Sequence, residues 1–147
     1  MCRRFSSACN QFQVLFLWLH DRVPFGRLND VAAVRSQDTT ARLIRITLIP
    51  SAPFTIGLVS VIHFGGHSPG WLIDWLWISY GVIFVGQLRT WWVPYLLQPE
   101  ADRVARFRAM FGHTHSFLPV RNGIVPNTAH PLLHTATLAT LVVLCLL

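Results

Sequence analysis

A chain of 147 residues that is 52% hydrophobic and 12% charged, with mean hydropathy +0.45, is too apolar for an ordinary soluble domain and has the composition of a small polytopic membrane protein. Its net charge of +6 is carried by arginine alone, since no lysine is present. The arginines flank apolar runs instead of building a soluble basic face, which argues against nucleic acid as a partner. Cys2, Cys9 and Cys145 lie far apart without CxxC or ligand spacing, so neither a disulfide framework nor a zinc knuckle is implied.

The start, "MCRRFSSACNQFQVLFLWLHDR", is basic and then apolar from Val14 to Leu19. That patch is shorter than the apolar core of a signal peptide, and no A-x-A-like site follows it. Residues 1–45 are therefore expected to form an uncleaved cytoplasmic or juxtamembrane segment. Within it, "LNDVAAVRSQDTTARLIRI" predicts a helix that starts from an Asn29 or Asp30 cap and runs into the first span.

The first predicted span is 46–64, without a formal charge and close to the ~20 residues that cross a hydrocarbon core. Pro50 and Pro53 stand near its beginning, where a missing backbone donor costs least or where a kink is produced, and Gly65-Gly66 is the expected cap. A short link, "GGHSPG", leads to the second span at 71–88, so the two should form an antiparallel hairpin. Trp71, Trp75 and Trp77 precede Trp91, Trp92 and Tyr95 by about 30 Å of helix, the spacing expected of two interfacial aromatic belts. Asp74 and Arg89 lie just inside them, within reach of water.

Residues 89–130 read as a cytoplasmic loop that contains an interfacial amphipathic helix at 99–111. Pro99 opens that helix, Glu100 and Asp102 occupy its first turn, Gly112 follows it, and Val104, Phe107 and Phe111 share one face. The third span, 131–147, is at the lower limit of length, and Thr135, Ala136, Thr137, Ala139 and Thr140 give it a small-residue packing surface. The fold class expected is thus an all-α integral membrane protein with about three transmembrane helices in one membrane domain, 46–147. Arginines precede the first span and follow the second, while the link between them has none. The positive-inside rule then puts the N-terminus and the long loop in the cytoplasm, and the short link and C-terminus outside.

The chemistry concentrates in "FGHTHSFLPVRNGIVPNTAHPLLH". Asn122-Gly123 predicts a tight reversal, with Pro119 and Pro126 on either side, and this folds His113 and His115 back toward His130 and His134. Asn127, Thr128 or His130 is the expected cap of the third span. If His130 and His134 are both helical, their i, i+4 spacing places them on one face, where together with His113 and His115 they form a candidate site for a transition metal such as zinc or iron. Glu100 and Asp102 are candidate carboxylate partners. The competing reading gives each histidine an ordinary capping or interfacial role. His63 and His67 repeat the H-x-x-x-H spacing at the outer end of the first span, but no H-E-x-x-H, nucleophile elbow, P-loop or dinucleotide fingerprint occurs.

The function expected is that of a non-catalytic component or subunit of the cell membrane, in contact with the lipid bilayer and with a second copy or a larger membrane partner. The alternative is a metal-dependent membrane enzyme or metal-binding carrier.

Overall fold

The computed structural model describes residues 2–64 and 67–146, with side chains from residue 8 onward. Among them the regular structure is helical: α1 (Cys2–Leu19), α2 (Val31–Gln37), α3 (Thr40–Phe64), α4 (Gly70–Gln87), α5 (Val93–Leu96), α6 (Ala101–Phe111) and α7 (Ala129–Cys145), with a 3-10 turn at Gly26–Leu28. A π-helical turn, Leu88–Trp92, joins α4 to α5, so that Gly70–Leu96 is one apolar rod of 27 residues. The expected Gly65-Gly66 cap lies outside the described residues.

Helices α1, α3, α4 and α7 form a bundle whose core holds Leu17, Phe54, Leu72, Leu76, Tyr80 and Leu133. Contacts along the rods give their directions. Trp92 touches His134, Gln87 touches Thr137 and Trp77 touches Cys145, so α7 runs antiparallel to α4. Phe16 meets His130 and Gln13 meets Thr137, so α7 runs antiparallel to α1 as well. The N-terminal segment, read from sequence as juxtamembrane, therefore contributes a full-length helix of 18 residues to the bundle.

At one end of the bundle a second core of Val34, Trp91, Tyr95, Phe107, Met110, Phe111 and Ile124 joins α2 and α6 to the ends of the rods. Asp38 fastens this layer: its Oδ1 accepts from Arg42 Nε at 3.0 Å and also from Arg106 of α6. The Asn122-Gly123 reversal forms as read, with φ of 51° and 75° and Arg121 and Ile124 exchanging backbone hydrogen bonds of 3.1 and 2.9 Å. Tyr95 holds it down by donating to Pro119 O at 3.1 Å, and Asn122 Nδ2 donates to Tyr95 O at 3.1 Å.

Two boundaries differ from expectation for local reasons, and a third is settled among the alternatives expected. Asp30 caps α2 through the Ala33 N–H at 2.9 Å, as read, but that helix stops at Gln37 and Thr39 starts α3 afresh, accepting from Arg42 N at 3.3 Å. Pro50 and Pro53 consequently sit inside α3 instead of near its start. His130 is helical rather than a cap, because Asn127 Oδ1 accepts from the His130 N–H at 3.3 Å and supplies the cap itself.

Candidate functional site

Where the bundle meets the arginine-rich layer, aromatic and imidazole rings from four segments converge. The π-helical turn ahead of Pro94 directs Trp91 inward. The Trp91 ring lies 4.9 Å from Phe107 and Phe111 and 4.0 Å from His130. Trp91 and Tyr95 are each only 7% exposed. This corrects the belt reading at that end: Trp91, Trp92 and Tyr95 line the junction of bundle and layer, while Trp71, Trp75 and Trp77 at the other end are exposed.

His130 and His134 share a face of α7 as their spacing dictates, with ring centroids 6.3 Å apart. His130 is wedged among Phe16, His20, Trp91 and Phe111, and its Nδ1 bonds Asn127 Oδ1. Trp92 Nε1, which can only donate, bonds His134 Nδ1 at 3.0 Å. That contact makes Nδ1 the acceptor and puts the His134 proton on Nε2, so the ring is neutral and its Nδ1 lone pair is occupied.

The other two histidines of the sequence-derived site go elsewhere. The chain reversal does bring His115 next to the start of α7, where its Nδ1 bonds Thr128 Oγ1 at 2.7 Å and its carbonyl accepts from Thr128 N at 2.8 Å. The His115 side chain remains exposed, and the exposed His113 lines a groove with Arg22, Arg27 and Arg35. Glu100 and Asp102 are exposed as well. Among the described residues, no three His, Cys, Asp or Glu side chains are grouped closely enough to hold a metal ion.

His20 is the participant that sequence reasoning missed. Its ring stacks on Phe16 at 4.4 Å and meets His130 edge-on at 5.7 Å. Its Nδ1 faces Phe16 O at 2.9 Å and its Nε2 faces Asp21 Oδ2 at 3.2 Å. Both ring nitrogens of His20 thus face an acceptor. Burial pushes the Asp21 carboxyl above its ordinary range, and the positive charges of His20 and Arg22 oppose that shift.

Deeper in the bundle lies a polar seam with no counterpart in the sequence reading. Tyr80 OH donates to Asn10 Oδ1 at 2.7 Å and lies 3.4 Å from Gln13 Oε1. Gln13 Nε2 and Gln87 Nε2 approach Thr137 Oγ1 at 3.5 and 3.2 Å, while that hydroxyl donates to Leu133 O at 3.0 Å. Both acceptor positions and the single proton of Thr137 are thereby used. Gln87 Oε1 is buried without a partner among the described residues. Gly57 admits this arrangement, since a Cβ there would stand 3.0 Å from Asn10 Nδ2 and 3.2 Å from the Tyr80 hydroxyl oxygen.

No known protein family matches the chain, and no curated protein or solved structure is significantly similar to it.

Proposed function

We propose that the protein is a multi-pass component of the cell membrane in which four helices, α1, α3, α4 and α7, cross the bilayer, and that its histidines and polar side chains serve structure, not catalysis. Two helices, Thr40–Phe64 and Gly70–Leu96, are long and apolar enough to cross a membrane. The observation that carries the reading is the inverted polarity of the bundle. Asn10, Gln13, Thr47, Ser51, Ser60, Thr137 and Thr140 are buried, while Leu15, Ile49, Val59, Ile62, Ile78, Val82, Val85, Leu138 and Val142 face outward. Water would select the opposite arrangement; lipid selects this one, because polar groups in hydrocarbon must find partners within the bundle.

Helix α1 conforms to the same rule. Asn10, Gln13 and Leu17 form its inner stripe and Phe12, Leu15 and Trp18 its outer one. Its small apolar content matters less once its polar residues are paired inside. With α1 as a span, the start of α1 and the end of α7 lie on the same face. Every arginine except Arg3 and Arg4 lies at or near the layer end. The positive-inside rule therefore favours a cytoplasmic layer with the start of α1 and the end of α7 on the opposite face, in place of the cytoplasmic N-terminal segment expected from three spans.

The non-catalytic assignment rests on how the imidazoles are engaged. His134 gives its Nδ1 lone pair to Trp92 and carries its proton on Nε2, His20 faces an acceptor at each ring nitrogen, His115 and His130 bond a neighbouring side chain through Nδ1, and among the described residues no three His, Cys, Asp or Glu side chains are grouped closely enough for a metal. Such bonds fix loop and helix ends. The test is fractionation of cells expressing the intact chain, followed by metal analysis of the detergent-purified protein. Retention in alkali-washed membranes, release by detergent and substoichiometric transition metal are expected. Release by alkali would overturn the membrane assignment, and one bound metal per chain, lost in a His130→Ala, His134→Ala variant, would overturn the structural one.

A further inference from the structure

On the surface of the arginine-rich layer, beside the end of α1, lies a groove of about 540 Å³ whose lining includes Arg22, Arg27, Arg35, Asn29, Asp30 and His113. Its charge is unbalanced. Among the described residues neither Arg27 nor Arg35 forms an ion pair within 4 Å, although the Asp21 carboxyl lies close enough to Arg22 and Arg35 for their charges to act on it. The one carboxylate in the lining, Asp30, accepts from the Ala33 N–H through Oδ1, and against the three arginines its single charge leaves the lining at +2 with His113 neutral. Arg22, also in the lining, donates to Trp18 O at 2.9 Å, stands 5.1 Å over the Trp18 ring and forms no ion pair among the described residues.

Three guanidiniums around one depression are a receptor for an anion with several oxygens, since each presents planar forked donors suited to phosphate. The surroundings favour a lipid as the source. Trp18, Val23, Phe25 and Leu28, interleaved with Arg22 and Arg27, are all exposed apolar side chains. A free phosphate has no use for apolar side chains next in sequence to the lining residues, whereas a lipid held by its headgroup has acyl chains to lay against them. We propose that the groove binds the phosphate of an anionic glycerophospholipid headgroup, a proposal that rests on the membrane reading above.

Dihexanoyl phosphatidylglycerol, which dissolves without a bilayer, is the probe, titrated into the full chain in a mild nonionic detergent and followed by native mass spectrometry. Removing two guanidiniums in an Arg27→Gln, Arg35→Gln variant is expected to weaken binding roughly tenfold or more, from the worth of basic side chains near anionic lipid. The charge-keeping pair Arg27→Lys, Arg35→Lys should bind better than the glutamine pair but more weakly than the parent, because an ammonium lacks the forked donors, and binding equal to the parent would overturn the forked recognition. An Arg103→Gln, Arg121→Gln variant, with the same net charge but both changes outside the groove, should bind like the parent.

Equal loss in that control would overturn the site by reducing it to bulk charge. Displacement of the lipid by equimolar inorganic phosphate would overturn the lipid as source. Dihexanoyl phosphatidylcholine should bind more weakly than the glycerol headgroup because its ammonium faces the arginines, and equal binding would likewise count against the proposal. Since the probe needs no bilayer, failure of the groove and failure of membrane insertion, read separately by alkali extraction, give different results.

Discussion

Replacing Tyr80 by phenylalanine removes one hydroxyl from the middle of the bundle and keeps the ring that packs 5.0 Å from Phe54. The hydroxyl's single proton goes to Asn10 Oδ1 at 2.7 Å, and its oxygen lies 3.4 Å from Gln13 Oε1. The variant leaves the Asn10 acceptor without this donor at a position that is 2% exposed. An interhelical hydrogen bond in a membrane bundle contributes about 0.6 kcal/mol on average and up to about 1.7. Orphaning a buried acceptor adds a desolvation penalty, which brings the expected loss to about 1.5–2 kcal/mol.

Asn10→Leu should also destabilise, but the double variant has nothing left to orphan there. The two changes should therefore be non-additive by about 1 kcal/mol. Reversible unfolding in mixed detergent micelles, followed by tryptophan fluorescence, measures all three. A Tyr80→Phe protein within about 0.3 kcal/mol of the parent and additive with Asn10→Leu would refute the docking of α1 through this seam.

Other consequences follow from the layer. Gly123→Ala puts a Cβ 2.6 Å from Val104 Cγ1 at φ +75°, so a loss of about 1–3 kcal/mol is expected in the same unfolding assay; an unchanged midpoint would show that the reversal does not pack on α6. Asp38→Ala releases Arg42 and Arg106 and should cost about 1–2 kcal/mol, with faster amide exchange in α2 and α6 as its signature. The Asp21 carboxyl is raised by burial, so the folded state holds its proton more tightly than the unfolded state does. Its contribution is fully present below the ordinary aspartate value near 3.9 and is lost as pH rises through the folded value. Asp21→Asn should flatten that part of the stability profile, and an unaltered slope between pH 4 and the neutral range would contradict the assignment.

What was legible in the sequence was what hydrophobic runs and breakers encode. The rods α3 and α4, the apolar α7, the amphipathic α6 and the Asn122-Gly123 reversal all announce themselves by composition or turn chemistry. The i, i+4 pairing of His130 and His134 followed from the helical period alone. Helix α1 did not show as a bundle member, because its inner stripe is made of Asn10 and Gln13, whose partners Tyr80 and Thr137 are remote in the chain. Its apolar run, Val14 to Leu19, is too short to register.

Trp91 and Trp92 were misread for a related reason. An amphipathic ring suits an interface and a polar core pocket equally well, and only the π-helical turn before Pro94 decides between them. His20 had no local pattern to mark it. Its companions, Phe16 aside, come from α7 and become neighbours only when α1 and α7 lie antiparallel. The adjacent Asp21 and Arg22 were the sole available hint.

The crossing of the bilayer by α1, on which the proposed bundle depends most directly, is measured by single-cysteine accessibility labelling in intact cells. In a cysteine-free background, positions Ser6, Ser68 and Ser116 are each replaced by cysteine and exposed to a membrane-impermeant maleimide. Positions 6 and 68 should label from outside and position 116 only after permeabilisation, which places the start of α1 on the face of the α3–α4 link and opposite the arginine-rich layer. Labelling of position 6 together with position 116, with position 68 on the other side, would leave α1 in the cytoplasm and contradict the four-span bundle.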